Sequence, residues 1–326
     1  MATATGMRKV LAVAGAAGVL AAGSPAAAQK IDLVSVSAQY LPSADMKSAP
    51  GKAQVSSYDV SFMVPVPLGE KSFLFPGAGY HVDSVSFSDT RPDFVDLRAF
   101  HAVEISALFV QLLPSDWALS LRAAPGLAGD FGTVDGRMVR ANAMAMASHT
   151  FSPRFVLGGG AILSYSFGTL LPLPAVYASY RPFEGFEVEG FLPAFLRVHH
   201  TIGDRVRLGI AAEFQGNEYA VRDDRIRGRW PCTAARADDP ATSPNEAIAR
   251  PSECFDNLAY SVGIAGFTAG VRLVSTVWLT GLFGHSFYRR FDQRNEERNE
   301  IPDGSQDIPN VLVVRAGLLW RMPTRE

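Results

Sequence analysis

The chain has 326 residues, a formal net charge of −2 and a hydrophobic fraction of 48%. This small, mixed-sign charge provides no basic patch, so a nucleic-acid partner is not expected. After the first 28 residues no window of 18 uncharged apolar residues occurs, which argues against membrane-spanning helices.

Residues 1–28 have the features of a secretory signal peptide. Arg8 and Lys9 form a short basic start, an apolar run of about a dozen residues follows, and a small-residue cleavage site ends near Ala28. The apolar run is shorter than the roughly 20 residues that a membrane anchor needs. We therefore expect export with cleavage, and a single mature domain over residues 29–326.

The mature chain alternates between apolar and polar residues. In "DLVSVSAQY", "SYDVSFMV", "WALSLRAA" and "RVRLGIAAEFQ", apolar residues recur at every second position. This period is typical of β-strands with two different faces, and no convincing run at helical spacing appears after residue 30. The sequence predicts an all-β protein.

Long polar segments alternate with short turns along the chain. Segments 41–52, 87–97, 129–137, 220–256 and 291–309 are polar, and "PLGEK", "LPSDW", "FSPR", "PFEG", "IGDR" and "TAGVR" read as tight turns. This order predicts an antiparallel meander with long loops on one rim. Pro193 should divide its segment into two strands, because proline interrupts a central ladder. The count is then about fourteen strands, with twelve as the alternative.

A soluble β-sandwich would also alternate, but three features favour a transmembrane antiparallel meander β-barrel of about 12–14 strands. Several strands reach ten residues, enough to cross a bilayer at a tilt, and lysine is scarce after Lys71. Aromatic residues stand near the strand ends, as in the girdles of membrane barrels: Tyr40, Tyr80, Trp117, Tyr165, Phe167, Tyr180, Phe186, Trp278, Tyr288 and Trp320. In "FEVEGF", valine would face lipid and glutamate the interior.

The stretch "LPLPAVYASYRPFEGFEVEGFLPAFLRV", followed by "DRVRLGIAAEFQGNEYAV", resembles a family of bacterial outer-membrane β-barrels defined as a domain of unknown function. The resemblance covers roughly residues 31–322 and is strongest over 171–221. It implies a barrel in the outer membrane of a Gram-negative bacterium and brings no established activity. The chain departs from many such barrels at its end, where Trp320 lies six residues before the terminus.

Charged residues on the predicted inner faces are candidates for lining the lumen, because a charge on the lipid face costs up to about 2–4 kcal/mol. These residues are Asp59, Asp83, Glu104, Arg122, Arg140, Arg181, Glu187, Glu189, Arg207, Glu213 and Arg315. They form either a network of paired side chains that fills the interior or an aqueous pathway with opposed acidic and basic walls.

The two cysteines, Cys232 and Cys254, both lie in the long polar loop 220–256. In an oxidising compartment we expect them to form a disulfide, because closing a loop of this size removes on the order of 3 kcal/mol of disordered-state entropy. The loop should lie on the cell exterior.

Other motifs give weak signals. His81 with Asp83 and Ser84, and His149 with Ser148, suggest a histidine-assisted hydrolase, but neither pair matches a recognised catalytic motif. His199 and His200 are adjacent on a predicted strand, so their side chains point apart and do not suit a shared metal site. "GGGA" at 158–161 is not a phosphate-binding loop, because no helix follows it. Met144 and Met146 are expected to fill lumen space. No catalytic residue, cofactor or metal is assigned.

Three functions remain open for a barrel of unknown role: a passive channel for small polar solutes, a structural or surface-interaction barrel with a plugged lumen, and a lipid-modifying enzyme. The expected partners are outer-membrane lipid, lipopolysaccharide and the barrel-assembly machinery.

Overall fold

The computed structural model describes residues 32–45, 51–88, 97–166, 169–222, 256–295 and 300–321. The predicted signal peptide, Cys232 and Cys254 lie outside these residues, so the cleavage and the disulfide stay predictions. Within the described residues, no helix has the length and apolar character needed to span a membrane.

Sixteen strands make up the described fold. In chain order they are β1 (Asp32–Asp45), β2 (Lys52–Met63), β3 (Val66–Pro67), β4 (Ser72–Ser88), β5 (Leu97–Leu112), β6 (Trp117–Gly129), β7 (Val139–Ser152), β8 (Phe155–Ser166), β9 (Thr169–Tyr180), β10 (Phe186–Leu192), β11 (Phe195–Ile202), β12 (Val206–Ala220), β13 (Asn257–Val274), β14 (Val277–Arg294), β15 (Glu300–Asp307) and β16 (Leu312–Arg321). A short 3₁₀ helix, Gly136–Met138, precedes β7.

Fourteen of these strands form a closed antiparallel meander barrel. β1 pairs with β16, β16 with β14, and β14 with β13, which closes the ring. Among the strands of the described residues, β3 pairs only with β4, and β15 only with β14. The all-β prediction and the break at Pro193, which separates β10 from β11, are confirmed.

The alternating sequence produces an outer apolar face and an inner polar face. On β2, Tyr58 and Phe62 are each 50% exposed on the outside, whereas the neighbouring inward Ser57 is 4% exposed. Closure pairs the backbone groups within the barrel wall, as a hydrocarbon environment requires. The outer face can therefore contact lipid tails while the inner face holds polar groups.

Two predictions near the end of the chain are wrong. "TAGVR" lies inside β13, where Gly270 pairs with Thr280, and the turn falls instead at Ser275 and Thr276. Trp278, assigned to an aromatic girdle, is inward and 8% exposed. The strands β13 and β14 are each 18 residues long, so β13 continues through "TAGVR" to Val274 before the turn. Segment 291–309 contains the β14–β15 pairing rather than loop alone.

Short strands β10 and β11 allow a second closure at the long-loop end of the barrel. The ladder between β11 and β12 ends where Phe195 pairs with Glu213, and among the described residues β12 then has no ladder partner on that side from Gln215 to Tyr219. Ala220 pairs in parallel with Gly129 of β6, and the Asp130 amide donates to the Ala220 carbonyl at 3.1 Å. This contact closes a circuit through β6, β5, β4, β2, β1, β16, β14, β13 and β12, called here the nine-strand ring.

An apolar cluster fills the nine-strand ring. Its buried side chains come from all nine strands and include Leu41, Val55, Phe100, Tyr219 and Phe291. Every residue of 257–264 in β13 is buried, so that part of the strand has no exposed face. A ring of nine strands encloses a narrower space than one of fourteen, and here the space is occupied by side chains.

Candidate functional site

The candidate site is a cavity of about 470 Å³ in the lumen of the fourteen-strand barrel, lined by charged side chains together with polar and apolar ones. All eleven charged residues selected from the sequence line it. Their involvement in solute passage stays a prediction. Carboxylates occupy the adjacent strands β1, β2, β4 and β5, and arginines follow on β6, on β7 and at the end of β9, whereas acidic and basic residues are mixed from β10 to β16.

Glu213 of β12 joins two arginines from different parts of the barrel. Its carboxylate accepts from Arg197 of β11 at 2.9 Å and from Arg315 of β16 at 2.6 Å. Glu213 is 6% exposed, and the buried carboxylate bridges two arginines whose side chains keep part of their surface exposed. Charge-assisted bonds of this kind are stronger than bonds between neutral groups.

Glu187 of β10 anchors a second cluster. Arg181 donates to its carboxylate at 2.8 Å, and His199 Nε2 lies 2.9 Å from the other oxygen. His200, in contrast, is exposed on the outside, as strand alternation predicts. Ser179 also donates to Glu187 at 3.3 Å. The cluster fixes the orientation of the carboxylate.

His81 of β4 lies between two carboxylates. Its Nδ1 is 2.5 Å from Asp59 and its Nε2 is 3.1 Å from Asp83. Asp83 also accepts from Ser57 at 2.5 Å and from Tyr219 at 2.6 Å. Since a carboxylate lies beside each ring nitrogen, neither nitrogen is directed at a serine nucleophile.

Glu104 of β5 completes the pairing in the part of the cavity near the nine-strand ring. Arg122 donates to it at 2.8 Å, and Arg140 lies 3.6 Å from its second oxygen. Arg140 also donates to Asn217 at 3.4 Å, which ties β7 to the extended end of β12. This group therefore connects the cavity wall to the second closure.

A group of cations surrounds Trp278 at the rim of short turns. The guanidinium carbons of Arg207, Arg321 and Arg272 lie 4.9, 5.8 and 6.0 Å from the centre of the Trp278 ring. Arg321 pairs with Asp32 at 2.7 Å, and Arg272 pairs with Asp204. Among the described residues, no carboxylate lies within ion-pair distance of Arg207, and its only hydrogen bond is a 3.5 Å contact with Thr201.

Several cavity residues were missed from the sequence. They are Asp32, His81, Arg197, His199, Trp278 and Arg321. Alternation of inward and outward positions along the strand could have identified Arg197, which stands opposite the inward Glu189 in the β10–β11 ladder. Parity gave no usable signal for Trp278, because the preceding turn was misplaced.

The methionine pair and the glycine run noted in the sequence occupy packed positions in the barrel. Met144 and Met146 are buried in an inner apolar cluster together with Phe191 and Phe195. Gly160 has no room for a side chain, since a Cβ there would lie 2.1 Å from the Ala145 carbonyl oxygen. No group of three or more potential metal-binding side chains occurs in the part of the chain that the structure describes.

The family model for a domain of unknown function, DUF6268, matches residues 25–230, which is more than half of the chain. The chain belongs to the DUF6268 family. This confirms the resemblance deduced from the sequence, whose strongest part, 171–221, lies inside the match. No curated protein matches this DUF6268 chain.

Solved structures of low sequence identity align with the DUF6268 chain over most of its length. An outer membrane channel from Pseudomonas putida F1 is 10% identical, with a TM-score of 0.46 over 93% of this chain and 100% of that one. The translocator domain of autotransporter NalP from Neisseria meningitidis is 11% identical, with a TM-score of 0.36 over 98% and 96%. LpxR from Salmonella typhimurium is 11% identical, with a TM-score of 0.35 over 89% and 99%. Likeness of this degree gives no information on solute, partner or reaction.

Proposed function

We propose that this DUF6268 barrel is an outer-membrane channel for small polar solutes, and that the charged cavity is its permeation path. The observation that carries the proposal is the extent of the cavity. It runs from Asp32 and Arg321 at the rim of short turns to Asp83 and Tyr260, which adjoin the nine-strand ring. Polar groups line it over this distance, as a water-filled path requires.

The charge balance of the lining favours dipolar solutes. Seven arginines (122, 140, 181, 197, 207, 315 and 321) and seven carboxylates (32, 59, 83, 104, 187, 189 and 213) line the cavity, which gives a net charge of zero when histidines are neutral. A lining with equal numbers of acidic and basic groups on different parts of the wall orients dipoles without strongly excluding either ion sign. We therefore propose small neutral or zwitterionic solutes and weak ion selectivity.

The second candidate is a barrel with a plugged lumen that acts through its outer loops. The apolar filling of the nine-strand ring favours it, because that filling lies at the long-loop end of the lumen. In this case the charged network would serve as a rigid interior, and the barrel would conduct no ions. Loss of partner binding on removal of the long outer loop would then be expected.

Single-channel conductance in a planar lipid bilayer tests the channel proposal. Ser37 lines the cavity, whereas its neighbour Ala38 is exposed on the outer face, so Ser37→Trp and Ala38→Trp form a matched pair. A channel predicts steady conductance that Ser37→Trp reduces and Ala38→Trp leaves unchanged. Silence in the intact protein and in a variant lacking residues 224–254 would contradict the channel and support the plugged barrel.

Location in the outer membrane is part of the same proposal. Tight turns join β5 to β6, β7 to β8 and β11 to β12 on one rim, the rim at which β1 begins and β16 ends. Bacterial outer-membrane barrels place their short turns in the periplasm. We therefore assign the Trp278 end of the cavity to the periplasmic side. Cell fractionation tests this location, and recovery of the protein in the soluble periplasmic fraction would contradict it.

A further inference from the structure

We propose that Arg207 and the face of Trp278 form a binding site for small oxyanions, of the carboxylate or phosphate type, at the short-turn end of the cavity. The inference deepens the proposed channel function, because it names a chemical group of the solutes that the cavity takes. The proposal rests on the pairing pattern of the lumen, on the local geometry and on the position of the site.

The pairing pattern singles out Arg207. Among the described residues, each of the other six arginines that line the cavity lies within ion-pair distance of a carboxylate. The only hydrogen bond of the Arg207 side chain in the described structure runs from Nε to the Thr201 hydroxyl, so its two terminal amino groups have no hydrogen-bond acceptor there. Glu187, Glu189 and Asp32 act on Arg207 only from beyond ion-pair distance, and the Arg321 cation opposes them. A bound anion would therefore supply the direct counterion that this partly buried cation lacks in the described structure.

The local geometry presents the guanidinium to the lumen. Arg207 pairs across the ladder with Gly270, and Gly270 in turn lies beside Trp278. A Cβ at Gly270 would stand 3.6 Å from Arg207 Cβ and 3.5 Å from Trp278 Cε3, so the missing side chain leaves the space through which the guanidinium reaches the indole. Stacking on the indole holds one face of the guanidinium and leaves its edge for an acceptor.

The surroundings add positive charge to the site. The guanidinium carbon of Arg321 lies 5.8 Å from the centre of the same indole ring. Asp32 accepts from Nε of Arg321, which leaves terminal amino groups of the Arg321 guanidinium available to an anion. The two hydroxyls of Thr268 and Thr280 also line this part of the cavity. A guanidinium fork recognises planar carboxylates and phosphate oxygens through paired N–H donors, which a chloride ion cannot match.

Trp278 itself can report binding. The chain has four tryptophans, and a variant carrying Trp117→Phe, Trp230→Phe and Trp320→Phe retains Trp278 alone. We would titrate this detergent-solubilised barrel with sodium acetate or sodium phosphate at constant ionic strength, with sodium chloride as the reference. The expected result is a saturable change in Trp278 fluorescence with acetate or phosphate at concentrations where chloride gives none.

Substitutions at Arg207 locate the site. Arg207→Gln should weaken the apparent affinity at least about tenfold, whereas Arg207→Lys, which keeps the charge without the fork, should weaken it less. Arg154→Gln is the matched control, because Arg154 lies in an exposed turn on the same rim and its side chain, within the described structure, bonds only to the Pro182 carbonyl. Circular dichroism would verify that each variant is a folded barrel.

Two results would overturn the site. One is the absence of a saturable response to both anions in the folded reporter protein. The other is an equal affinity in the reporter, Arg207→Gln and Arg154→Gln proteins. Binding is measured in detergent without conduction, so a silent bilayer recording with intact anion binding would reject the channel and keep the site.

Discussion

Ala220 at the end of β12 pairs in parallel with Gly129 at the end of β6, although five strands separate β12 from β6 on the shorter side of the barrel. The contact is close, since a Cβ on Gly129 would lie 2.8 Å from the Ala220 carbonyl oxygen. The short strands β10 and β11 leave the edge of β12 without a partner, and β6 supplies one. An unpaired strand edge is unfavourable, which gives the second closure its physical cause.

Tyr219→Phe tests a contact that holds the second closure. The Tyr219 hydroxyl donates to Asp83 at 2.6 Å and is fully buried, so its removal should lower the free energy of unfolding by about 1 kcal/mol. Asp83 keeps Ser57 and His81 as partners, which limits the loss. Urea unfolding in detergent micelles measures the difference. Tyr40→Phe is the control, because Tyr40 is 45% exposed on the outer face; an equal loss in both variants would contradict the role of the bond.

Glu213→Gln tests the central charged bridge. The substitution removes the charge that pairs with Arg197 and Arg315, and we expect a loss of about 1–3 kcal/mol in unfolding free energy, because two partly buried cations lose their counterion. If the barrel conducts, the added positive charge should also shift the reversal potential toward anion selectivity. Glu184→Gln in an exposed turn is the matched control. Unchanged stability and selectivity in Glu213→Gln would show that the bridge contributes little.

Cysteine labelling tests the assignment of inner and outer faces on β12. Leu208 and Ile210 are 47% and 53% exposed on the outer face, whereas Arg207 lines the cavity. In native membranes, Leu208→Cys and Ile210→Cys should resist a water-soluble maleimide, and Arg207→Cys should react, in a background with Cys232 and Cys254 replaced by serine. Because strand faces alternate strictly, the reverse pattern would mean a one-residue shift in register.

Much of the fold follows from local sequence. Two-residue alternation specifies the strands and their faces, and Pro193 correctly divides β10 from β11, which gives fourteen strands in the barrel. The same parity placed all eleven selected charged residues on the cavity wall. These features depend on near neighbours in the chain, so they can be read without knowledge of the distant parts of the barrel.

The features that local sequence did not predict depend on distant contacts. Nothing near Ala220 indicates that its partner is Gly129, since that pairing arises from the shortness of two intervening strands. The ion pair between Glu213 and Arg315 joins strands far apart in the chain. The position of Trp278 near a strand end predicts a girdle residue, and "TAGVR" resembles a turn; only the full pairing of β13 with β14 shows that β13 continues through "TAGVR".

The measurement that most directly tests the account is the single-channel conductance of Gly129→Val beside the intact barrel. The valine side chain would clash with the Ala220 carbonyl and open the nine-strand ring, so we predict a conductance about twofold higher or more, because lumen diameter grows with the number of enclosing strands. Gly159→Val is the control, since no atom lies within 4 Å of a Cβ at Gly159. Equal conductance in the intact protein and both folded variants would contradict the idea that the pairing of Ala220 with Gly129 narrows the cavity. The absence of conductance in all three proteins would contradict the idea that the cavity conducts.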